Sequence, residues 1–298
     1  MGRAPFFSII RPVHSRPDDP TKGRHSMKVY ISVDIEGITG VTNWDETEID
    51  SSRHGNGGAQ MKKETLAAIR GAIKAGATEV WVKDAHDSAR NMWADGFPPE
   101  VRFIRGWMCS PEVMMAGIDE TFDAAIAIGY HSGGGTNGNP LAHTMTDARL
   151  YWTKVDGKLV SELELNAMIA GRYGVPMIFV SGDQDLCEKA VKVLPGIGTV
   201  SSNKCIGQAT INRSAELVEQ EIEDGVEAAL KEMKSRCVKP VEDRPVTLEF
   251  CCRHHSQALR ASYYPGAELV DDFTVKYEAK DVWDMITAYF FMMPEVIH

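Results

Sequence analysis

The sequence predicts an α/β fold in which a parallel or mixed central sheet is flanked by helices, with a smaller C-terminal α+β lobe. Two observations lead to this prediction. Apolar strand-like runs alternate with segments of helical periodicity, at the spacing of β-α units. The run at 123–131 is apolar almost throughout, as in a strand that is covered on both faces.

The first two thirds of the chain supply the elements of the main domain. Gly76 and Gly174 are typical helix-ending residues, and Asp156-Gly157 between two alternating runs predicts a β-hairpin over 148–162. Strands are predicted at 28–33, 78–84, 123–131 and 176–183, and helices at 64–75, 162–174 and 185–194.

The composition changes at 195–213, and a second group of elements follows. It comprises an amphipathic helix at 214–234, strands in "RPVTLEFC" and "DFTVKYEAKD", and a closing helix in "DVWDMITAYFFMM". The first 26 residues are polar, rich in proline and without periodicity. We therefore predict a disordered N-terminal extension at 1–26, an α/β domain at 27–195 and the smaller α+β lobe at 196–298.

Charge and cysteine content narrow the class of protein. The formal net charge of −10 argues against a nucleic-acid partner, which would require a basic surface. The six cysteines are scattered and form no CxxC pair, which is typical of reduced thiols in a cytoplasmic protein. Apolar runs fall short of the roughly 20 residues of a membrane span, so we expect no membrane partner.

The stretch "KVYISVDIEGITG" places two carboxylates directly after the first predicted strand. Asp34 and Glu36 are two residues apart, so an extended chain points both side chains to one face. Like charges this close raise each other's proton affinity unless a cation lies between them. The pair therefore predicts a metal site at the end of the strand.

Further ligand types are expected at the same edge of the sheet. His86 follows the second strand and His131 the third, and the carboxyl ends of strands in an open α/β sheet meet at one edge. His143 comes from the loop "LAHTM", and Glu162 opens a helix. Imidazoles and carboxylates suit zinc, and their number is sufficient for two ions that share a carboxylate. The domain at 27–195 is thus the predicted metal-binding, catalytic one.

Nearby polar residues have simpler interpretations. Asp84 and Asp87 are predicted to hold the metal ligands by hydrogen bonds or to cap turns, rather than to bind metal themselves. The loop "HSGGGTNGNPLAH" lacks the lysine of a phosphate-binding loop, so we interpret it as a flexible lip that brings His143 to the site.

A second group of potential ligands occurs in "CCRHHSQA" at 251–258. Adjacent residues on a strand point in different directions, so neither pair is suited to hold one ion. We predict structural or surface roles for Cys251, Cys252, His254 and His255.

In these motifs the chain resembles the DppA-like D-aminopeptidases, the M55 family of metallopeptidases. The resemblance runs from Met27 to the C-terminus, and departs from the family in the leader, in the glycine-rich loop at 132–139 and in "CCRHHSQA". The matching stretches are "KVYISVDIEGITG", "EVWVKDAHD", "GYHSG", "AHTM", "SELELNAMIAG", "PMIFVSGD", "RPVTLEF" and "YPGAELVDDFTVKYEAKD".

The resemblance implies two zinc ions per chain and a ring-shaped homodecamer whose active sites face an inner channel. His143 matches the catalytic histidine of the family, which lies near the metals without being a permanent ligand. The implied ligands are Asp34, which bridges the ions, Glu36 and His86 on one ion, and His131 and Glu162 on the other.

The residues alone predict a metal-dependent hydrolase, and the resemblance implies a zinc-dependent aminopeptidase. Such an enzyme would hydrolyse short peptides or amino-acid amides, with N-terminal D-amino acids preferred, by attack of a metal-activated water. Three alternatives stay open on the residues alone. They are another metal-dependent amidohydrolase acting on an L-peptide or a cell-wall peptide, a phosphatase with Asp34 as its nucleophile, and a non-catalytic peptide-binding protein.

Overall fold

The computed structural model describes residues 26–236 and 238–293, so the extension predicted at 1–26 lies outside the described residues except for Ser26. The strands are β1 (Met27–Val33), β2 (Ala77–Asp84), β3 (Val101–Ile104), β4 (Ala124–Tyr130), β5 (Leu150–Val155), β6 (Lys158–Leu159), β7 (Met177–Asp183), β8 (Gly198–Ile206), β9 (Ala209–Asn212), β10 (Val246–Cys252), β11 (Ala267–Leu269) and β12 (Thr274–Ala279). The α-helices are α1 (His54–Lys74), α2 (Glu162–Arg172), α3 (Gln184–Val193), α4 (Ala215–Glu232), α5 (His255–Ala261) and α6 (Val282–Met292).

A seven-stranded sheet with the order β3-β2-β1-β4-β7-β8-β9 forms the centre of the molecule. All neighbouring pairs are parallel except β8 and β9, which confirms the predicted central sheet. The chain runs outward from β1 to β3, then returns to β4 and continues on the other side of β1. The boundary between β1 and β4 is thus a topological switch point, where open α/β sheets bind ligands.

Helices cover both faces of this sheet. Along β1, Val29 and Ile31 pack in a core that includes buried residues of α1 and α4, whereas Tyr30 packs in the core on the opposite face. The period-2 alternation of a strand sends successive side chains to opposite faces, so an apolar run on β1 is buried on both.

A second sheet of five strands is antiparallel throughout and has the order β11-β12-β10-β5-β6. The hairpin predicted over 148–162 is present as β5 and β6. Its turn has positive φ angles at Asp156 (+50°) and Gly157 (+74°), as a type I′ turn requires. The helix α6 packs beside α2 and against β10 and β12, and so joins the second sheet to the first.

The arrangement of the sheets differs from the domain division predicted at residue 195. The strands β8 and β9 lie beyond that residue but pair within the first sheet, and α4 packs on α1. The strands β5 and β6 lie before it but belong to the second sheet. Composition changes along the chain, whereas strand pairing joins distant segments, so the change of composition does not mark the boundary between the sheets.

The helix α1 begins ten residues before its predicted start at Glu64. Its first turns contain four residues "GNGG" of low helix propensity, which concealed it in the sequence. A Cβ atom at Gly57 would lie 2.3 Å from the carbonyl oxygen of Glu46, so glycine lets α1 pack closely on the short 3₁₀ helix Trp44–Glu46. No helix in the described part of the chain is long and apolar enough to cross a membrane.

Candidate metal centre

The centre lies at the carboxyl ends of three neighbouring strands, β2, β1 and β4. Val33 at the end of β1 is paired with Asp84 on one side and Ile128 on the other. The segments that follow the three strands therefore leave the sheet side by side. Asp34 and Glu36 follow β1, His86 follows β2, and His131 follows β4.

The turn after β1 explains why glycine follows the two carboxylates. Asp34 and Glu36 are only 2% and 1% exposed. The N–H of Gly37 donates to the carbonyl of Gly129 at 2.8 Å, and a Cβ at Gly37 would lie 1.8 Å from the carbonyl oxygen of Tyr130. Only glycine permits this approach to β4, which holds both carboxylates over the switch point.

His86 lies against both of these carboxylates. Its Nδ1 is 3.2 Å from Asp34 Oδ1 and 3.1 Å from Glu36 Oε2. The turn that carries it is held by Asp84, which accepts from the side chain of Asn91 and from the N–H of Met92, each at 2.9 Å. Asp84 thus caps the turn, as the sequence predicted.

His131 lies between Asp34 and Glu162. Its Nε2 is 3.5 Å from Asp34 Oδ2 and 3.4 Å from Glu162 Oε2. Its Nδ1–H donates to the carbonyl of Ser132 at 3.0 Å, which leaves the lone pair of Nε2 facing the carboxylates.

Glu162 and His143 complete the group of potential ligands, from the start of α2 and from the loop between β4 and β5. Glu162 is the first residue of α2, and its Oε1 accepts from the N–H of Met145 at 2.7 Å. His143 Nε2 lies 3.5 Å from Glu162 Oε1, and its ring stacks on His131 with centroids 4.4 Å apart. The Nδ1–H of His143 donates to the carbonyl of Leu141 at 2.8 Å, so Nε2 faces the centre.

All six predicted site residues therefore come together. In two groups of three the potential ligand atoms lie within 4.8 Å of one another, and Asp34 belongs to both. The groups are Asp34, Glu36 and His86, and Asp34, His131 and Glu162; a third group combines Glu36, His131 and His143.

The centre contains buried polar atoms that lack hydrogen-bond partners among the described residues. Glu36 Oε2 approaches His86 Nδ1 without the alignment of a hydrogen bond. Buried polar atoms are normally paired, because leaving one unpaired costs about 1–3 kcal/mol. Carboxylate oxygens and imidazole nitrogens with free lone pairs are the donor set that zinc prefers, so the residues fit a divalent metal. The unpaired atoms are Asp34 Oδ2, both carboxylate oxygens of Glu36, His86 Nε2 and His131 Nε2.

The pKa shifts of the clustered side chains also favour a bound cation. Burial, and then the neighbouring Glu36, raise the pKa of Asp34 well above its usual value. Burial would also raise the pKa of Glu162, but the adjacent His131 holds it at about 2. Burial would lower the pKa of His86, and the carboxylates of Glu36 and Asp34 raise it well above its usual value. The cluster of carboxylates thus favours added positive charge, which protons on histidine or metal ions can supply.

A cavity of about 240 Å³ opens onto the centre. Its walls include Trp44 and Trp107, and His143 is 11% exposed at its surface, whereas Glu36 and His131 are 1% exposed. The cavity therefore gives a ligand access to His143 and to the inner faces of the carboxylates.

Comparison with known proteins identifies the family. The model of the M55 peptidases, described as D-aminopeptidase, matches residues 27–291. The chain belongs to the M55 peptidase family. A D-aminopeptidase of Bacillus subtilis (strain 168) is 33% identical over 269 residues, which are 88% of this chain and 94% of that protein. A solved structure, described as the Zn-dependent D-aminopeptidase DppA from Bacillus subtilis, a self-compartmentalizing protease, superposes with a TM-score of 0.84. It is 29% identical and covers 91% of this chain and 98% of that one.

One residue that positions the centre of this M55 peptidase was not singled out in the sequence. Asp183 ends β7, and its carboxylate accepts from the N–H and the hydroxyl of Ser132 at 2.6 and 2.7 Å. It also accepts from Leu186 N–H and from the Asn139 side chain. Asp183 thereby fixes the residue next to His131. The signal available was its place in "PMIFVSGD", at the end of another strand of the same sheet.

The glycine-rich loop after His131 is buried where it leaves the strand, and its tip at 135–137 is exposed. Gly133 and Gly134 are buried, and a Cβ at Gly133 would lie 2.8 Å from the carbonyl oxygen of Val160. Thr144 Oγ1 accepts from the N–H of Gly134 and donates to Val160. The glycines therefore allow close backbone contact, which places His143 beside α2.

The "CCRHHSQA" segment of this M55 peptidase supplies none of the residues that line the catalytic cavity. Cys251 and Cys252 end β10 as free thiols, and His254 caps α5 by a reciprocal pair of hydrogen bonds with Gln257. Among the described residues, the groups able to hold a metal include none from this segment.

Proposed function

We propose that the protein is a zinc-dependent aminopeptidase that hydrolyses short peptides or amino-acid amides with an N-terminal D-amino acid. The observation that carries this proposal is the set of buried, unpaired carboxylate and imidazole atoms arranged around a shared Asp34. Membership of the M55 family, and a relative described as Zn-dependent, support the same metal and reaction.

In this proposal two zinc ions bind per chain. Asp34 would hold both, since one of its oxygens lies near His86 and the other near His131. Bound zinc supplies a Lewis acid for the scissile carbonyl and lowers the pKa of a water molecule. The ligands of one ion are Asp34, Glu36 and His86, and those of the other are Asp34, His131 and Glu162.

His143 is the proposed catalytic residue. The Leu141 carbonyl fixes its Nδ1–H, so proton exchange occurs at Nε2, which faces the cavity. In its protonated form Nε2–H can donate to the oxyanion that develops on the carbonyl, or to the departing amine. Stacking on His131 and the contact with Trp44 restrict the rotation of the ring.

The cavity limits the proposed substrate to a short peptide. About 240 Å³ is at the small end for a ligand site, enough for the residues beside one peptide bond. Asp87 and Asp147 line the cavity and suit the free amine of a peptide, and Arg149, which is positively charged, lines it as well.

We propose that the chain assembles into a ring-shaped homodecamer. The support is the resemblance to the family and the relative described as self-compartmentalizing. Native mass spectrometry tests it: ten chains of 32.9 kDa should appear as one particle, and a monomer would contradict it.

We further propose a cytoplasmic location. The support is that five cysteines, two of them adjacent in sequence, are free thiols in the structure. Such thiols are stable in a reducing compartment. Fractionation of the source cells, followed by detection of the protein, tests this proposal.

The experiment that tests the function measures zinc per chain and turnover on the same preparation. Protein purified without chelator should contain close to two zinc ions per chain and cleave D-alanyl peptides faster than the L-isomers. Asp34→Ala should lose both ions and the activity, whereas Asp87→Ala, in the same cavity, should keep the metal. Zinc near zero in the wild type, even after zinc is added, would overturn the dinuclear peptidase. Faster cleavage of the L-isomers would overturn the D-preference.

A further inference from the structure

A second, apolar pocket adjoins the metal centre. It lies between α2 and α6, and its volume is about 30 Å³. Leu165 and Ile169 contribute from α2, Ile286 and Phe290 from α6, and Val113 from the 3₁₀ helix Val113–Met115. The described structure gives this pocket no role in the chemistry of the centre.

Met145 joins this pocket to the catalytic cavity, because it lines both. The helix α2 also borders both spaces. Glu162, in its first turn, faces the catalytic cavity, and Leu165, one turn later, faces the apolar pocket. A ligand at the metal centre is therefore separated from the pocket by the side chain of Met145.

The amide nitrogen of Asn166 and the hydroxyl of Tyr289, which line the pocket, are already paired with protein atoms. Asn166 donates to the hydroxyl of Tyr130 at 2.8 Å and contacts the sulfur of Met114, and the hydroxyl of Tyr289 is paired with Thr153. A buried water needs two to four polar partners, which this pocket does not offer. The complementary ligand group is consequently a hydrocarbon.

Met145 combines a fixed backbone with an adaptable side chain. Its φ is +69°, and its N–H donates to Glu162 Oε1 at 2.7 Å, so its Cα is held beside the centre. The side chain is unbranched and has three rotatable bonds. Val113, across the pocket, has φ +46°, a rare conformation for a β-branched residue. Such backbone outliers are concentrated at ligand sites.

We propose that the apolar pocket receives a hydrocarbon side chain of the peptide substrate, and that Met145 sets how large this side chain can be. The proposal rests on the proposed peptidase function. A space of about 30 Å³ accepts a methyl-sized group, since benzene needs a cavity of about 150 Å³. Truncation of Met145 would merge the two spaces and admit larger side chains.

The test compares substrates that differ only in one side chain. Two dipeptide series, X-Gly and Ala-X with X as glycine, alanine, leucine or phenylalanine, are assayed with wild type and Met145→Ala. The kcat/KM ratio of leucine to alanine substrates should rise at least about tenfold in the variant for one series, which identifies the position that enters the pocket. Met168→Ala is the matched control, because Met168 lies on α2, which borders both spaces, but lines neither of them.

A second variant keeps the proposal testable if Met145→Ala does not fold. Ile169→Phe should fill the pocket, so the kcat/KM ratio of alanine to glycine substrates in the same series should fall, because the wild-type pocket accepts the alanine methyl group. Circular dichroism and zinc per chain verify that each variant is folded and loaded. Unchanged ratios in both variants, with alanine peptides still cleaved, would overturn the pocket assignment alone. Failure of the wild type to cleave any peptide would overturn the proposed function and this inference with it.

Discussion

Asp34 and Asp183 occupy similar places in the first sheet, but their oxygens have different surroundings. Asp34 follows β1 and Asp183 ends β7, with β4 between these strands, and the two residues are 2% and 0% exposed. Asp183 accepts four hydrogen bonds, from Ser132, Leu186 and Asn139. Asp34 Oδ2 has no hydrogen-bond partner among the described residues.

The difference separates a carboxylate that holds a loop in place from one that we propose as a metal ligand. A buried carboxylate that is saturated by N–H and O–H donors is already stabilised and holds its loop in place. One that faces other carboxylates and imidazoles still needs a cation. Burial and position at a strand end are common to both, so only the count of donors separates them.

The largest expected effect is a loss of catalytic rate when His143, near Asp34, is replaced. We expect His143→Ala to lower kcat by a factor on the order of 10²–10⁴, because proton exchange at Nε2 is lost. Zinc per chain should stay unchanged, in contrast to Asp34→Ala. Steady-state kinetics and elemental analysis of one preparation measure both quantities. A normal rate would remove His143 from the mechanism, and loss of zinc would make it a ligand.

The second-largest expected effect is a loss of protein stability when Asp183 is replaced. We expect Asp183→Ala to lower the free energy of unfolding by about 2–4 kcal/mol, because buried N–H groups of Ser132 and Leu186 lose their acceptor. Urea denaturation measures this loss, and the folded fraction should still bind zinc. Asp185→Ala, which removes an exposed carboxylate in the first turn of α3, should change stability by less than about 1 kcal/mol. A fully stable Asp183→Ala protein without zinc would reverse the contrast with Asp34.

Glu64 extends the comparison to a partly satisfied carboxylate. It is buried, accepts from the N–H of Thr39, and its Oε2 has no partner among the described residues. Burial raises its pKa from 4.5 to about 7, although the Thr39 N–H lowers it in part. Between these values the folded protein keeps a proton that the unfolded chain has lost. The free energy of unfolding therefore falls as pH rises through this window and levels off above it, by on the order of 3 kcal/mol.

Replacement by glutamine tests this dependence. We expect Glu64→Gln to remove most of the fall between pH 5 and pH 8, measured by urea denaturation and taken as the difference from wild type. Glu268→Gln removes one negative charge at an exposed position on β11 and should leave the slope unchanged. If the free energy of unfolding fell with pH to the same extent in Glu64→Gln and in the wild type, the pKa of Glu64 would not be raised by folding.

The smallest effect is expected in the "CCRHHSQA" segment. The double variant His254→Ala, His255→Ala should keep the zinc content of the wild type, since neither residue belongs to a group able to hold a metal. Elemental analysis measures this. A lower zinc content would show that residue type, and not the convergence of unpaired atoms, determines where metal binds.

Local patterns in the sequence indicated much of the fold. The strands at 27–33, 77–84, 124–130 and 177–183 follow from their apolar runs, and Asp156-Gly157 from the conformation of a tight turn. The same patterns placed ligand types at three strand ends, and a parallel sheet brings such ends to one edge. The metal-ligand roles of these residues stay predictions.

By itself, then, the sequence determined where strands end and which side chains stand there, because both depend on residues adjacent in the chain. The tertiary structure decided which strands pair across residue 195, why four residues "GNGG" lie in a helix, and where Met145 joins two cavities. It also decided that Asp183 is saturated by donors while Asp34 is not. These features depend on backbone and side-chain contacts between segments that are distant in the chain, and no local pattern records them.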